Sequence, residues 1–175
     1  MRTELFEAKI PVDQYLEEYV NVEEFLECCR KCDGYGRKWS CPEFDFDPID
    51  YWKQFDILRI YGKKIYLEEG ESDNWKEALK QVKNEMADVL YEEEKKFPGS
   101  KSLSAGSCSI CGDDNCTKLE GKPCKYPDKL RYSIEALGGN VAMTIEKLLG
   151  IKILWLEEGK MPEYFVLVAG LLYNE

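Results

Sequence analysis

An α+β fold, with a mostly antiparallel sheet packed with helices and interrupted by cysteine-rich loops, is the class this sequence predicts. Three observations carry it. The run from Asp56 to Leu67 and the run from Tyr164 to Tyr173 are rich in β-branched, aliphatic and aromatic residues. Between Asn74 and Phe97 the residues Trp75, Ala78, Leu79, Val82, Met86, Val89 and Leu90 recur at helical spacing. The shorter connections are too local for parallel pairing, so the strands are expected to run antiparallel.

Taken in order, Asp13 is placed to cap a short helix over Gln14 to Val20, after Pro11 and Val12. Asn21-Val22-Glu23-Glu24 resembles a capping box that opens another turn or two through Cys28, which puts the first cysteines at a helix end. Within the strand at Asp56–Leu67, Gly62 marks a bulge or a close approach. Pro98-Gly99 ends the long helix, whose apolar stripe is best read as a face buried in the core. Pro127 is suited to a first helical position, with Leu130, Ile134 and Leu137 on one face and Gly138-Gly139 as terminator. Asn140 can cap a further helix over Val141 to Leu149. Ile151–Leu156 and Tyr164–Tyr173 then read as two strands of an antiparallel hairpin turning around Glu158-Gly159-Lys160.

A chain of 175 residues with 44% hydrophobic and 33% charged residues can bury a real core, and one domain over 1–175 is expected. The net charge of −10 argues against nucleic-acid backbones and anionic membrane surfaces as partners. The first residues show no apolar signal core, and no apolar run approaches the roughly 20 residues of a membrane span. A cytoplasmic location is the expectation. There, eight cysteines are more readily metal ligands or redox groups than disulfides. The absence of histidine excludes Ser-His-Asp and Cys-His hydrolysis, and no glycine-rich phosphate loop follows a strand. The carboxylates Glu68, Glu69, Glu92, Glu93 and Glu94 read as solvated faces.

The chemistry concentrates in two stretches. Cys108, Cys111, Cys116 and Cys124 have the spacing C-x2-C-x4-C-x7-C, a complete set of four thiols for tetrahedral zinc or a [4Fe-4S] cube. Only the first pair forms a zinc-type knuckle, so the staggering of the other two favours a cluster. Pro123 beside Cys124 stiffens the last ligand, and Lys122 and Lys125 are candidates for stabilising an anionic centre. The other stretch supplies Cys29, Cys32 and Cys41, three thiols that invite a second centre with an open position. Cys28 is less suited, because adjacent residues rarely aim at one point. Arg30, Lys31, Arg37 and Lys38 face a single carboxylate, Asp33, over residues 28–41, which places positive charge beside the thiols. Trp39, Tyr35, Phe44 and Phe46 are candidate water shields or ordinary core.

Cys29, Cys32, Tyr35, Gly36, Trp39, Cys41 and Pro42, followed by Ala105, Gly106, Cys108, Cys111, Cys116, Pro123, Cys124, Pro127, Ser133, Glu135, Ala136 and Gly138, form two separated motifs. In these residues the chain resembles a family of predicted metal-binding proteins, domain of unknown function 2284, over most of its length. The resemblance implies metal binding and specifies no reaction. Three features depart from the family pattern: Cys28 beside Cys29, the four-residue gap from Gly112 to Asn115, and Glu43 in place of a second proline.

The leading expectation is therefore a [4Fe-4S] protein, with one cluster on Cys108, Cys111, Cys116 and Cys124 and a second centre on Cys29, Cys32 and Cys41. It would serve a protein redox partner in electron transfer or an accessory role. The alternative is a zinc-stabilised interaction module. A thiol oxidoreductase using Cys29 and Cys32 ranks lowest, because it leaves the other cysteines without a role.

Overall fold

The computed structural model describes residues 1–175. Its centre is a four-stranded, wholly antiparallel open sheet of β1 (Arg2–Pro11), β2 (Ile57–Tyr66), β3 (Lys101–Leu103) and β4 (Phe165–Tyr173), in the order β1-β2-β4-β3. The register runs Arg2 opposite Tyr66 through Pro11 opposite Ile57, and Ile57 opposite Tyr173 through Ile65 opposite Phe165. The helices are α1 (Val12–Tyr19), α2 (Val22–Arg30), α3 (Pro48–Trp52), α4 (Trp75–Lys96) and α5 (Val141–Met143), the last continued by a π turn over Thr144–Leu148. This is the expected α+β architecture.

Both faces of the sheet are covered, so the central strands are apolar on both sides. On one face Leu58, Ile60, Val168 and Leu172 pack with Val12, Tyr15, Trp52, Ile134, Leu137 and Leu149. On the other, Tyr61, Ile65, Ala169 and Leu171 meet Val82, Met86 and Leu90 of α4. The stripe on α4 is thus core for the most part, although Val89 stays exposed. Gly62 proves to be a close approach: a Cβ there would stand 2.4 Å from Leu149 Cδ1. No helix is long and apolar enough to cross a membrane.

Two strands escape the sequence reading. β1 alternates in the period of a half-buried strand, with Phe6, Ala8 and Ile10 turned inward and Leu5, Glu7 and Lys9 outward. β3 is three residues long and is specified by its pairing with β4.

Four local expectations are corrected. α1 starts at Val12, ahead of Asp13, and Asp13 does not cap it. No helix forms from Pro127 to Leu137, because tertiary bonds claim that backbone: Ser104 N donates to Tyr132 O at 2.8 Å, and Ser104 bridges Ser133. Ile134 and Leu137 still reach the core through turns. Ile151–Leu156 is not a strand: β4 pairs with β2 along Phe165–Tyr173 and with β3 at Gly170–Leu172, and only the isolated bridge Glu157–Lys160 marks the expected turn. Glu94 leaves the solvated face of α4 for a bidentate pair with Arg131 at 2.7 Å to each oxygen, with side-chain exposures of 13% and 8%. The other caps hold: Asn21 Oδ1 accepts from Glu24 N at 3.1 Å, and Asn140 Oδ1 from Met143 N at 2.9 Å.

This topology positions the cysteines. β1 and β2 are sheet neighbours, yet the chain between them carries α1, α2, the first cysteine loop and α3. β3 and β4 are likewise neighbours, and the chain between them carries the second cysteine loop.

Candidate metal centre

The first loop grows from the C-terminal turn of α2. Helical geometry separates Cys28 and Cys29 by about 100°, so Cys28 faces solvent while Cys29 is half-buried. The chain then closes on itself: Cys32 N donates to Cys29 O at 2.9 Å, Cys41 N to Lys38 O at 3.0 Å, and Gly36 N to Pro42 O at 2.8 Å. A Cβ on Gly34 would come within 2.9 Å of the buried Cys41 sulfur, so a side chain there would force that sulfur to shift. Burial pushes the Cys29 thiol up to about 11, assisted by the neighbouring Cys41 and Cys32, by Glu135 and by Cys28. The Cys41 thiol is also raised by burial, although the Ser40 hydroxyl, Lys38 and Lys118 favour its thiolate. Cys29, Cys32 and Cys41 therefore share one neighbourhood.

In the second loop Cys108, Cys111, Cys116 and Cys124 are all half-buried. The Cys108 thiol is raised by burial and further by Cys111 and Cys124, while the Ile110 backbone amide and Lys83 work against the shift. The 3-10 turn Thr117–Glu120 follows Cys116 directly, and the Thr117 hydroxyl donates to Pro123 O at 2.8 Å, which ties the chain before Cys124 to the chain after Cys116.

The two loops, separated by some 60 residues of chain in the sequence, interlock. Cys108 N donates to Ser40 Oγ at 2.9 Å. The Lys38 ammonium donates to Cys108 O at 3.1 Å and Ser107 Oγ at 3.4 Å. In the reverse direction, the Lys118 ammonium donates to Lys38 O, Cys41 O and Glu43 O at 3.3, 3.1 and 3.3 Å and lies over the Trp39 ring. Trp39 Nε1 donates to Lys122 O at 3.1 Å. Each loop thus supplies a lysine that holds the carbonyls of the other.

Of the cations expected beside the thiols, Lys38 is in place, while Lys83 and Lys118 were not foreseen. Lys122 is turned to Glu120 at 2.6 Å and Lys125 is exposed, whereas Lys38, Lys83 and Lys118 approach the cysteines. Lys83 reaches from α4 to Ser107 O. Its ammonium is held below the usual lysine range by burial and by Lys38. Glu135 is raised by burial, against its own backbone amide, Ser133 and Lys83. Lys83 was hidden in the sequence because it sits in the polar background of α4, and Ser40 and Lys118 carry no motif. Phe44 and Phe46 stack at 4.7 Å and pack against the core with Tyr132, so they are core. Trp39 and the half-buried Tyr35 remain at the loop.

The donor set is thiol throughout, with no imidazole in the chain, and suits a thiolate-ligated centre. No three Cys, Asp or Glu side chains converge on one point to hold a single ion.

The fold and the loops define an α+β protein built to present two sets of thiols from two interlocked connections. The family follows from comparison: the chain belongs to the predicted metal-binding proteins (DUF2284), whose family model matches residues 16–172 and so spans both loops. No curated protein and no solved structure matches the chain.

Proposed function

We propose that this protein is a redox accessory or electron-transfer protein whose second loop holds a [4Fe-4S] cluster on Cys108, Cys111, Cys116 and Cys124. Cys29, Cys32 and Cys41 would hold a second centre. The observation that carries the reading is the environment of the thiols. Six of the seven are half-buried or buried and Cys32 is exposed, they are grouped by loop, and lysines from three elements lie beside them in a protein of net charge −10. Four thiolates on a cluster leave a net negative centre, and nearby ammonium groups stabilise it and raise its potential. When bound, the cluster supplies one-electron chemistry. The chain's own residues position the sulfurs, through Gly34, Thr117 and the two lysine clasps, and limit the access of water.

A one-electron role needs a protein donor or acceptor, and a cytoplasmic redox protein is the partner proposed. The test is the absorption spectrum of protein purified without oxygen. A broad band near roughly 400 nm that bleaches on reduction supports the reading. A colourless protein carrying zinc would replace it with a zinc-stabilised interaction module.

A further inference from the structure

We infer that the cavity between α4, β3 and the start of the second cysteine loop is a binding site for a small carboxylate with a short apolar tail. The cavity has a volume of about 60 Å³, with the exposed Lys129 on its rim. That is room for about four water-sized groups. Its lining is one-sided in charge: Lys83, Lys129 and Arg131 contribute to it and no Asp or Glu does, in a chain with 34 acidic residues and a net charge of −10.

The three cations differ in what they can still bind. Arg131 is saturated, because the Glu94 carboxylate takes Nε and Nη2 while the carbonyls of Asp128 and Leu130 take Nη1. It fixes the wall. Lys83 directs one N–H to Ser107 O, and Glu135 and Asp113 act on it only through space. Burial opposes its charge, and so does Lys38, even though Lys38 pairs with Asp113 at 3.8 Å. An anion beside Lys83 relieves that cost. At the rim, the Tyr91 hydroxyl donates to Lys129 O at 2.7 Å and so ties the segment that carries Lys129 to α4. Asn84 and Ser109 add an amide and a hydroxyl to the lining.

The floor has the opposite character. Leu90, Leu103, Ala105 and Ala169 are buried there, and the two alanines leave space that a larger side chain would fill. Donors at the wall and rim above an apolar floor suit a carboxylate whose oxygens meet Lys83 and Lys129 and whose alkyl tail rests on the alanines. An inorganic oxyanion would leave the floor unused and would set a strongly hydrated group against it. A cation of the same size would be repelled. None of the donors is a thiol, so the site stands apart from metal binding.

The test is a calorimetric titration of the full-length protein, as purified, with sodium propionate at constant ionic strength, with sodium phosphate and propylammonium chloride as contrasting probes. Propionate should bind saturably, with a Kd on the order of 1 mM for so small a ligand. Phosphate and propylammonium should bind at least about tenfold more weakly. Lys83→Met should weaken propionate about tenfold or more, whereas Lys80→Met, at an exposed position of α4 outside the cavity, should leave it unchanged. Lys129→Glu alters only the exposed rim, should weaken propionate to a similar extent, and decides the matter if Lys83→Met unfolds the chain. Propionate that fails to saturate, phosphate or propylammonium that binds as tightly, or propionate binding unchanged in the cavity variants would overturn the assignment.

Discussion

Lys118→Met is the substitution that should separate the interlocked loops with least damage elsewhere. It keeps an unbranched side chain of similar length and deletes the ammonium that lies over Trp39 and bonds to Lys38 O, Cys41 O and Glu43 O at 3.1 to 3.3 Å. A hydrogen bond from a charged donor contributes about 1.5–3 kcal/mol, but three long bonds shared by one half-buried ammonium do not add fully, and water regains part of the carbonyls. A net loss of about 2 kcal/mol follows, or about 30-fold in the equilibrium between docked and open loops. The assay is the anaerobic rate of metal release to an excess of chelator, paired with hydrogen exchange. Release should accelerate by about 30-fold, and protection should fall at Cys41 and Gly36 while the β2 amides stay protected. Unchanged release with unchanged loop exchange would refute the idea that the lysine clasp holds the site.

Three further outcomes are expected. Cys28→Ser should retain the full metal content, because Cys28 faces solvent, whereas Cys41→Ser should lose the metal of the first loop, as read by elemental analysis. Glu94→Gln leaves Arg131 without its charge partner at a site exposed by only 8% and 13%, and should cost about 3 kcal/mol in chemical denaturation near neutral pH. Arg131 and Ser102 hold the Glu94 carboxyl below its ordinary 4.5 despite burial, so the wild-type advantage is fully present above that pH and shrinks as pH falls through the lower folded value. A difference that grew on acidification would contradict the pairing. Gly62→Ala drives a Cβ into Leu149 Cδ1, the mobile end of a side chain, and should cost about 1–2 kcal/mol with no loss of metal.

Much of the frame was legible because periodicity survives folding where an element packs through one continuous face. α4 and β2 are examples: the stripe Val82, Met86, Leu90 and the run Leu58, Ile60, Tyr61, Ile65 are the residues that reach the core. The segment 127–137 shows the opposite case. Its Leu130, Ile134 and Leu137 match a helical face, but Ser104 and Glu94 bind the local backbone and Arg131, and the chain bends into turns. Ile151–Leu156 has strand composition but joins no strand, while Ile151 and the flanking Leu149 pack into the core instead. The grouping of the thiols by loop was legible from spacing, whereas the solvent exposure of Cys28 and Cys32 was not. The docking of the loops was not legible, because Ser40, Lys83 and Lys118 act through single contacts across long sequence separations, which no local pattern records.

The central claim, that the second loop holds an iron-sulfur cube, is tested most directly by iron, zinc and acid-labile sulfide analysis of protein purified without oxygen. The account predicts iron and sulfide in near-equal amounts, at least about four of each per chain, falling by about four when Cys108 and Cys111 are replaced by serine. Zinc bound in the absence of iron and sulfide would contradict it.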